Sequence, residues 1–357
     1  MILFVSRYPD STGEKDGMMQ RVAAVDKFFA ACDRVYLGIR FFGNLRRSVE
    51  AVSDRATVHK VNFFLHFPAI LRMALQAGGI YIHSIHNGFR ALPLYLFRNV
   101  VSDLHGVFPE ELRFYGKRAG SLLYGLIERI TVRRSRALVV VTEVMADHLR
   151  AKYGNFPARI YTVPIFDDSP VGGTDRSAPG SLAAIYSGGS QKWQNIDLMM
   201  DAVARARYHG PLVILTPDVP YFERKAAEYG LAGRAKVLSV PKSAVYEHYR
   251  RAAVGFVLRD DSIVNRAACP TKLVEYLACG VIPVVLQPEI GDFARRGYAW
   301  IGLEQFVSGD LPSCEALEAM RSANYRLLRE MRDAAGVMME RMVAEFASTG
   351  ESHDVAS

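Results

Sequence analysis

Short apolar runs alternate along this chain with stretches in which apolar residues return every three or four positions. In the first half the runs fall at residues 2–6, 35–39, 57–61, 80–84, 100–104, 137–142 and 160–164, with helical periodicity between several of them, as at 20–31 and 121–134. Short strands alternating with helices predict a parallel, doubly wound sheet. The pattern stops at SPVGGTDRSAPGS, residues 169–181, whose Gly, Pro and Ser content marks a linker. It then restarts, with apolar runs at 183–186, 212–216, 236–240, 254–258, 282–286 and 300–303. Helical stretches fit between these at 196–208, 221–229, 243–251 and 271–279, and a long amphipathic segment covers 314–346. The expectation is an N-terminal Rossmann-like domain over 1–168, the linker 169–181 and a second such domain over 182–312. Helices at 313–347 would pack back toward the first domain, ahead of a flexible tail at 348–357.

Open α/β sheets bind ligands outside the carboxyl ends of their strands. With two such domains facing each other the site is expected in the cleft between them, on residues that follow strands. The segment CPTKLVEYLACGVIPVV, 269–285, fits best. Pro270 suits a helix start, and Gly280 suits a helix stop before the next strand. Lys272 and Glu275, three apart, share one face near the helix N-terminus, where free N–H groups and a lysine can cradle a diphosphate. A carboxylate on that face can take both hydroxyls of a ribose. An ordinary surface ion pair on a capped helix explains the same spacing.

Here the chain resembles glycosyltransferase family 4 (group 1), in which a glutamate-bearing helix reading roughly P-x-K-x-x-E-Y-x-A-x-G-x-P-V-V contacts a sugar nucleotide. The resemblance makes Glu275 the ribose ligand, sets Lys272 near the diphosphate, and places Pro270 and Thr271 at the helix end that meets the donor. YSGGSQKWQNIDLMMDAV, 186–203, is similar to the strand, glycine loop and helix that open the family's donor domain. There Gly188 and Gly189 would admit the phosphates to backbone, with Lys192 as a cationic partner. FVLRDDS, 256–262, resembles the preceding strand and loop and puts Arg259 beside the diphosphate. Two positions depart from the family: Ala267 stands where a second glutamate is usual, and Gly189 where an arginine is often found.

In the first half, YPDSTGEKDG, 8–17, carries Gly13 and Gly17 after the first strand, like the glycine-bearing loop of GT-B enzymes; a plain surface loop reads equally from the residues. His83 and His86 follow another strand, and His105 follows the next within SDLHGVFPEE, a second family-like segment. His105 is the first choice for a residue contacting sugar or acceptor, with His83 and Glu110 beside it on the acceptor side. No Cys or Glu completes a zinc site of fixed spacing around these histidines. Asp260–Asp261 and Asp167–Asp168 are adjacent acids, read as turn residues rather than a metal-binding DxD. No metal is expected. The implied fold is GT-B, with leaving-group charge stabilised by cations and helix N-termini. Arg259, Lys272 and His105 are the candidate catalytic residues.

Charge adds a partner. Residues 1–166 hold 23 Lys/Arg against 13 Asp/Glu, a net +10, within a chain whose total is +7. A basic first half suits an anionic membrane surface or polymer. Arg113, Lys117, Arg118, Arg129, Arg133, Arg134 and Arg136 flank the apolar stretch SLLYGLIERI; a core helix with a solvated basic edge is the blander reading. No nucleic-acid-binding signature is present. The four cysteines show no pairing motif, the N-terminal segment reads as a strand rather than a leader, and no apolar run is long enough to span a bilayer. A cytoplasmic protein, peripheral on the inner face of the membrane, is expected. The implied activity is retaining transfer of a hexose from a nucleoside-diphosphate sugar to a glycan or lipid-linked acceptor, in cell-surface polysaccharide synthesis. The alternatives are a sugar-nucleotide epimerase or hydrolase, and a non-catalytic GT-B module that binds a nucleotide sugar or glycan.

Overall fold

The computed structural model describes residues 1–9, 17–165, 171–172 and 183–351. The chain divides into two compact units, one formed by Met1–Pro164 with the chain from Ala334 onward, the other by Ile165–Asp333. Gly13, Asp167, Asp168 and most of the expected linker lie outside the described residues.

The strands of unit one are β1 (Ile2–Val5), β2 (Arg34–Arg40), β3 (Ser48–Ser53), β4 (Ala56–Asn62), β5 (Gly79–His83), β6 (Val100–Leu104), β7 (Ala137–Val140) and β8 (Arg159–Thr162). They form one sheet in the order β3-β4-β2-β1-β5-β6-β7-β8. All pairings are parallel except β3 with β4. The central strands β1, β5, β6 and β7 are buried throughout, as parallel strands covered by helices on both faces must be. β3, SVEAVS, was not foreseen. It is an exposed antiparallel edge with no continuous apolar run, so its sequence carries no buried-strand signal. The helices are α1 (Gly17–Phe28), α2 (Phe67–Gln76), α3 (Ser84–Arg90), α4 (Phe108–Phe114), α5 (Arg118–Arg134) and α6 (Glu143–Tyr153). α6 starts at Thr142, whose hydroxyl accepts the Met145 N–H at 3.0 Å.

Unit two contains β9 (Ala183–Ser187), α7 (Ile196–Arg205), β10 (Leu212–Leu215), α8 (Val219–Glu228), β11 (Ala235–Leu238), α9 (Lys242–Arg251) and β12 (Ala252–Val257). After them come α10 (Ile263–Arg266), α11 (Thr271–Ala278), β13 (Ile282–Val285), β14 (Ile301–Gly302) and α12 (Leu303–Ser308). The sheet is wholly parallel, in the order β11-β10-β9-β12-β13-β14. Gly280 ends α11 in the left-handed region at φ 70°, and a Cβ there would lie 2.1 Å from the Tyr325 hydroxyl, so only glycine fits.

The amphipathic segment near the C-terminus is one helix, α13 (Cys314–Glu351), and the division between units falls within it. Its earlier part belongs to unit two: Arg321 donates to the Gly280 carbonyl at 3.0 Å, and Asn324 exchanges hydrogen bonds with Ala299. Its later part belongs to unit one, where Glu345 accepts from Tyr161 at 2.7 Å and Phe346 packs edge-on against Phe29. Among the described residues no helix is long and apolar enough to cross a membrane.

Candidate functional site

In unit two the strand order reverses between β9 and β12, and such a switch point opens a crevice at the strands' carboxyl ends. Both loops leaving it are built from the residues the sequence singled out. After β9, Gly188 takes φ 142° and donates to the Leu215 carbonyl at 2.9 Å, while the Gly189 carbonyl accepts the Tyr186 hydroxyl at 2.5 Å. Asn195, left-handed at φ 51°, donates to the Leu258 carbonyl and to Asp260 Oδ1, which ties this loop to the one after β12. On that second loop Arg259 donates to Asn265 Oδ1 at 3.2 Å, and buried Asn265 donates in turn to the Asp260 carbonyl at 2.9 Å. Asp260 and Asp261 are thus engaged locally, Asp261 with Arg266 at 3.4 Å.

α11 begins at Pro270, with Thr271 as its first residue. Lys272 runs inward, is buried, and donates to Gln194 Oε1 at 2.8 Å with its ammonium 4.1 Å from the Tyr186 ring centre. Among the described residues it makes no ion pair. Burial, then the nearby Arg259 charge, hold its pKa well below the ordinary lysine value, and Glu275 only partly offsets them. Glu275 does not take the i,i+3 partner its spacing allowed. Its carboxylate is ion-paired with Lys242 at the start of α9 and accepts the Tyr249 hydroxyl at 2.8 Å. These bonds orient the Glu275 carboxylate. The structure therefore gathers Gly188, Gly189, Arg259, Pro270, Thr271, Lys272 and Glu275 around one switch point. Lys192 is exposed on the β9 loop, and it is Gln194 that reaches Lys272. Lys242, Tyr249 and Tyr186 were missed by sequence reasoning. Lys242 lies just beyond the end of β11, where the sequence reading expected site residues to fall.

Unit one has its own reversal, between β1 and β5. Asp103, near the carboxyl end of β6, is wholly buried and held by Arg21 of α1 through Nε at 3.1 Å and Nη2 at 3.3 Å. Tyr81 donates to the same carboxylate at 3.1 Å, and Arg21 also donates to the Val163 and Pro164 carbonyls. Burial would raise the Asp103 pKa, but Arg21 and His105 outweigh it and keep the carboxyl well below its usual range. His83 Nδ1 lies 3.3 Å from Asp103 Oδ2 without the alignment of a hydrogen bond, and His105 Nε2 lies at 3.5 Å. The His83 ring, expected at the acceptor side, is wholly buried between Phe4 and Tyr81, and burial lowers its pKa against the opposing pull of Asp103. Its place in the site is behind His105, the less buried of the two. Ser84, next in the chain, is a non-glycine residue at φ 66° with a buried hydroxyl that has no hydrogen-bond partner among the described residues, the kind of strain that collects at ligand sites.

Ligand atoms of His83, Asp103 and His105 lie within 4.8 Å of one another. A divalent cation there would sit against the Arg21 guanidinium that already holds both Asp103 oxygens, so the donor set fits a metal poorly. Glu110 stands apart from this cluster. Its carboxylate is bound by His148 at 3.1 Å and Lys152 at 2.7 Å, which overcome the effect of burial and bring its pKa down to about 2. Gly17 is the first residue of α1.

The model of Glycosyltransferase Family 4 matches residues 1–166. No curated protein matches the chain in sequence. Solved structures match it over almost its whole length. Sucrose-phosphate synthase from Thermosynechococcus elongatus is 12% identical with a TM-score of 0.67, over 100% of this chain and 99% of that one. The trehalose-6-phosphate structure from E. coli, bound with UDP-2-fluoro glucose, is 14% identical with a TM-score of 0.66, over 97% and 98%. Anabaena HepE in complex with UDP and glucose is 13% identical with a TM-score of 0.62, over 98% and 99%. The two-domain parallel architecture is thus the GT-B fold, and the family resemblance noted in the sequence is borne out.

Proposed function

We propose, for a chain whose residues 1–166 match the Glycosyltransferase Family 4 model and that has the GT-B fold, that it transfers a sugar from a nucleoside-diphosphate sugar to a glycan or lipid-linked acceptor. One observation carries the reading: Lys272 is a buried ammonium with no ion pair among the described residues, at the switch point of a doubly wound sheet. Burying such a charge is costly unless a ligand supplies the counter-charge, and a diphosphate supplies it. Arg259 and the N-terminus of α11 would share the phosphates, and Glu275 would hold the ribose.

In the reaction the bond between the anomeric carbon and the β-phosphate oxygen breaks, its electron pair leaving with the nucleoside diphosphate. The acceptor oxygen forms the new bond, and its proton departs to the released phosphate or solvent. Arg259 and Lys272 stabilise the charge that gathers on the leaving oxygen, which gives transfer a route without a metal. His105, on the acceptor side, would contact sugar or acceptor. The family resemblance favours retention of configuration and a place in cell-surface polysaccharide synthesis. Similar solved structures that hold UDP or a UDP-sugar make uridine diphosphate the first nucleotide to test.

A non-catalytic binder is the second reading. It is favoured by Ala267, which is buried where the family usually has a second glutamate. The two part on turnover. A transferase releases free nucleotide from its sugar donor slowly alone and faster with acceptor, whereas a binder is stabilised by the donor and releases none. Failure of UDP, GDP, ADP and CMP alike to stabilise the protein would remove both.

A further inference from the structure

The carboxyl rim of the unit-one sheet exposes large apolar side chains. Phe42, just after β2, is 99% exposed, and Phe64 and Leu65, just after β4, are both largely in solvent. A separate group stands on α5, where Leu122 is 73% exposed and Leu123 and Leu126 are exposed beside it. The two groups are joined by rings. Phe41 packs on Phe64 and on Phe89 of α3, with centroids 5.9 and 5.5 Å apart, and Phe89 meets Tyr124 of α5 at 5.9 Å. Domains that stay free in solution rarely expose an apolar strip of this extent.

Charge says what covers it. The segments that carry the strip are RFFGNLRR, 40–47, NFFLHFP, 62–68, and RFYGKRAGSLLYGLI, 113–127, and none contains an acid. Arg40, Arg46, Arg47, Arg113, Lys117 and Arg118 are all exposed within them. Aromatic and leucine side chains flanked by arginines, with no acids among them, match an anionic bilayer, where rings and leucines enter the headgroup boundary and cations meet lipid phosphates. An acidic protein partner would satisfy the arginines but not the strip's spread over two loops and a helix.

We infer that this rim seats unit one on an anionic lipid surface. Resting on the transferase reading above, the inference makes the acceptor a lipid-borne one, presented at the carboxyl end of the sheet where His105 lies. The test is co-sedimentation of the full chain with phosphatidylcholine vesicles and with phosphatidylcholine–phosphatidylglycerol vesicles, across a salt series. The intact protein should bind the anionic vesicles, release as salt rises, and leave the neutral ones in solution. The double variants Leu122→Ser/Leu126→Ser and Phe42→Ser/Phe64→Ser should each bind about tenfold more weakly or worse. All of these side chains are exposed, so folding should be unaffected. Equal binding to both vesicle types, no binding to either, or variants that bind like the parent would each overturn the inference. So would a dimer, seen by light scattering, that dissociates in the Leu122→Ser/Leu126→Ser variant, because a second copy would then be the occupant. Nucleotide binding, measured on the same samples, reports separately on the transferase reading, since none of the four substitutions touches unit two.

Discussion

The two units share a strand logic, and each buries a charge near the point where its sheet reverses, but they treat that charge in opposite ways. In unit one Asp103 is met within the chain by a two-pronged arginine and a tyrosine hydroxyl. In unit two Lys272 is met by an amide oxygen and the face of a ring. The first is a closed account that stabilises the fold. The second leaves a desolvated cation with no ion pair among the described residues, and under the proposed function its complement is a diphosphate from outside.

The largest expected effect breaks the closed side. Arg21→Met leaves Asp103 buried without its cation and should cost about 3–5 kcal/mol, read as a fall in Tm. A stability within 1 kcal/mol of the parent, roughly the scatter of a neutral substitution, would show that the pair is not what holds α1 to the sheet. The same kind of change on the open side should behave in reverse. Lys272→Met removes a charge that burial penalises, so the nucleotide-free protein should melt at the same temperature or higher, while nucleotide affinity falls about 10–100-fold. A large loss of Tm in this variant would make Lys272 a structural residue and erase the contrast.

Titration sharpens it further. The folded-state pKa of Lys272 lies below the unfolded value, so between the two the unfolded chain binds more protons and Lys272 opposes folding. That cost is present below the folded pKa and fades as pH rises toward the ordinary lysine value. A bound diphosphate favours the charged form, so binding should take up protons and weaken as pH rises through the folded pKa. An affinity independent of pH over that range, outside the nucleotide's own phosphate ionisation, would contradict the assignment. The smallest effect falls on Lys242→Met. With Tyr249 still bonded to Glu275, it should weaken nucleotide binding only severalfold, about 1 kcal/mol. An effect as large as that of Lys272→Met would make Lys242 a direct ligand.

Much of the fold could be read from the sequence because parallel strands buried on both faces leave continuous apolar runs, as at β5, β6 and β12. β3 could not, because an exposed edge leaves none. Of the donor candidates, Gly188 and Arg259 lie just after strand ends and Lys272 lies in the first turn of α11, positions that the strand-end and helix-start rules pick out. What the sequence could not supply was pairing. The Lys272–Glu275 spacing allows an ion pair, and only the tertiary packing of α9 against α11 turns Glu275 toward Lys242 and Tyr249. His83 shows the converse error. A histidine at a strand end reads as a rim residue, yet the pleat turns its ring into the core. Ser84 left no signal, since a strained backbone angle is set by the fold around it.

The central claim is that Lys272 is the unfilled charge of a diphosphate site. It is tested most directly by titration calorimetry of UDP, with GDP, ADP and CMP beside it, into the intact protein and Lys272→Met, in two buffers of different ionisation enthalpy. The account predicts that one nucleoside diphosphate binds the intact protein, with proton uptake appearing as pH rises past the folded pKa of Lys272, and that the variant loses that uptake and about 10–100-fold in affinity. Equal affinity in the two proteins, or no binding of any nucleotide to the intact one, would contradict it.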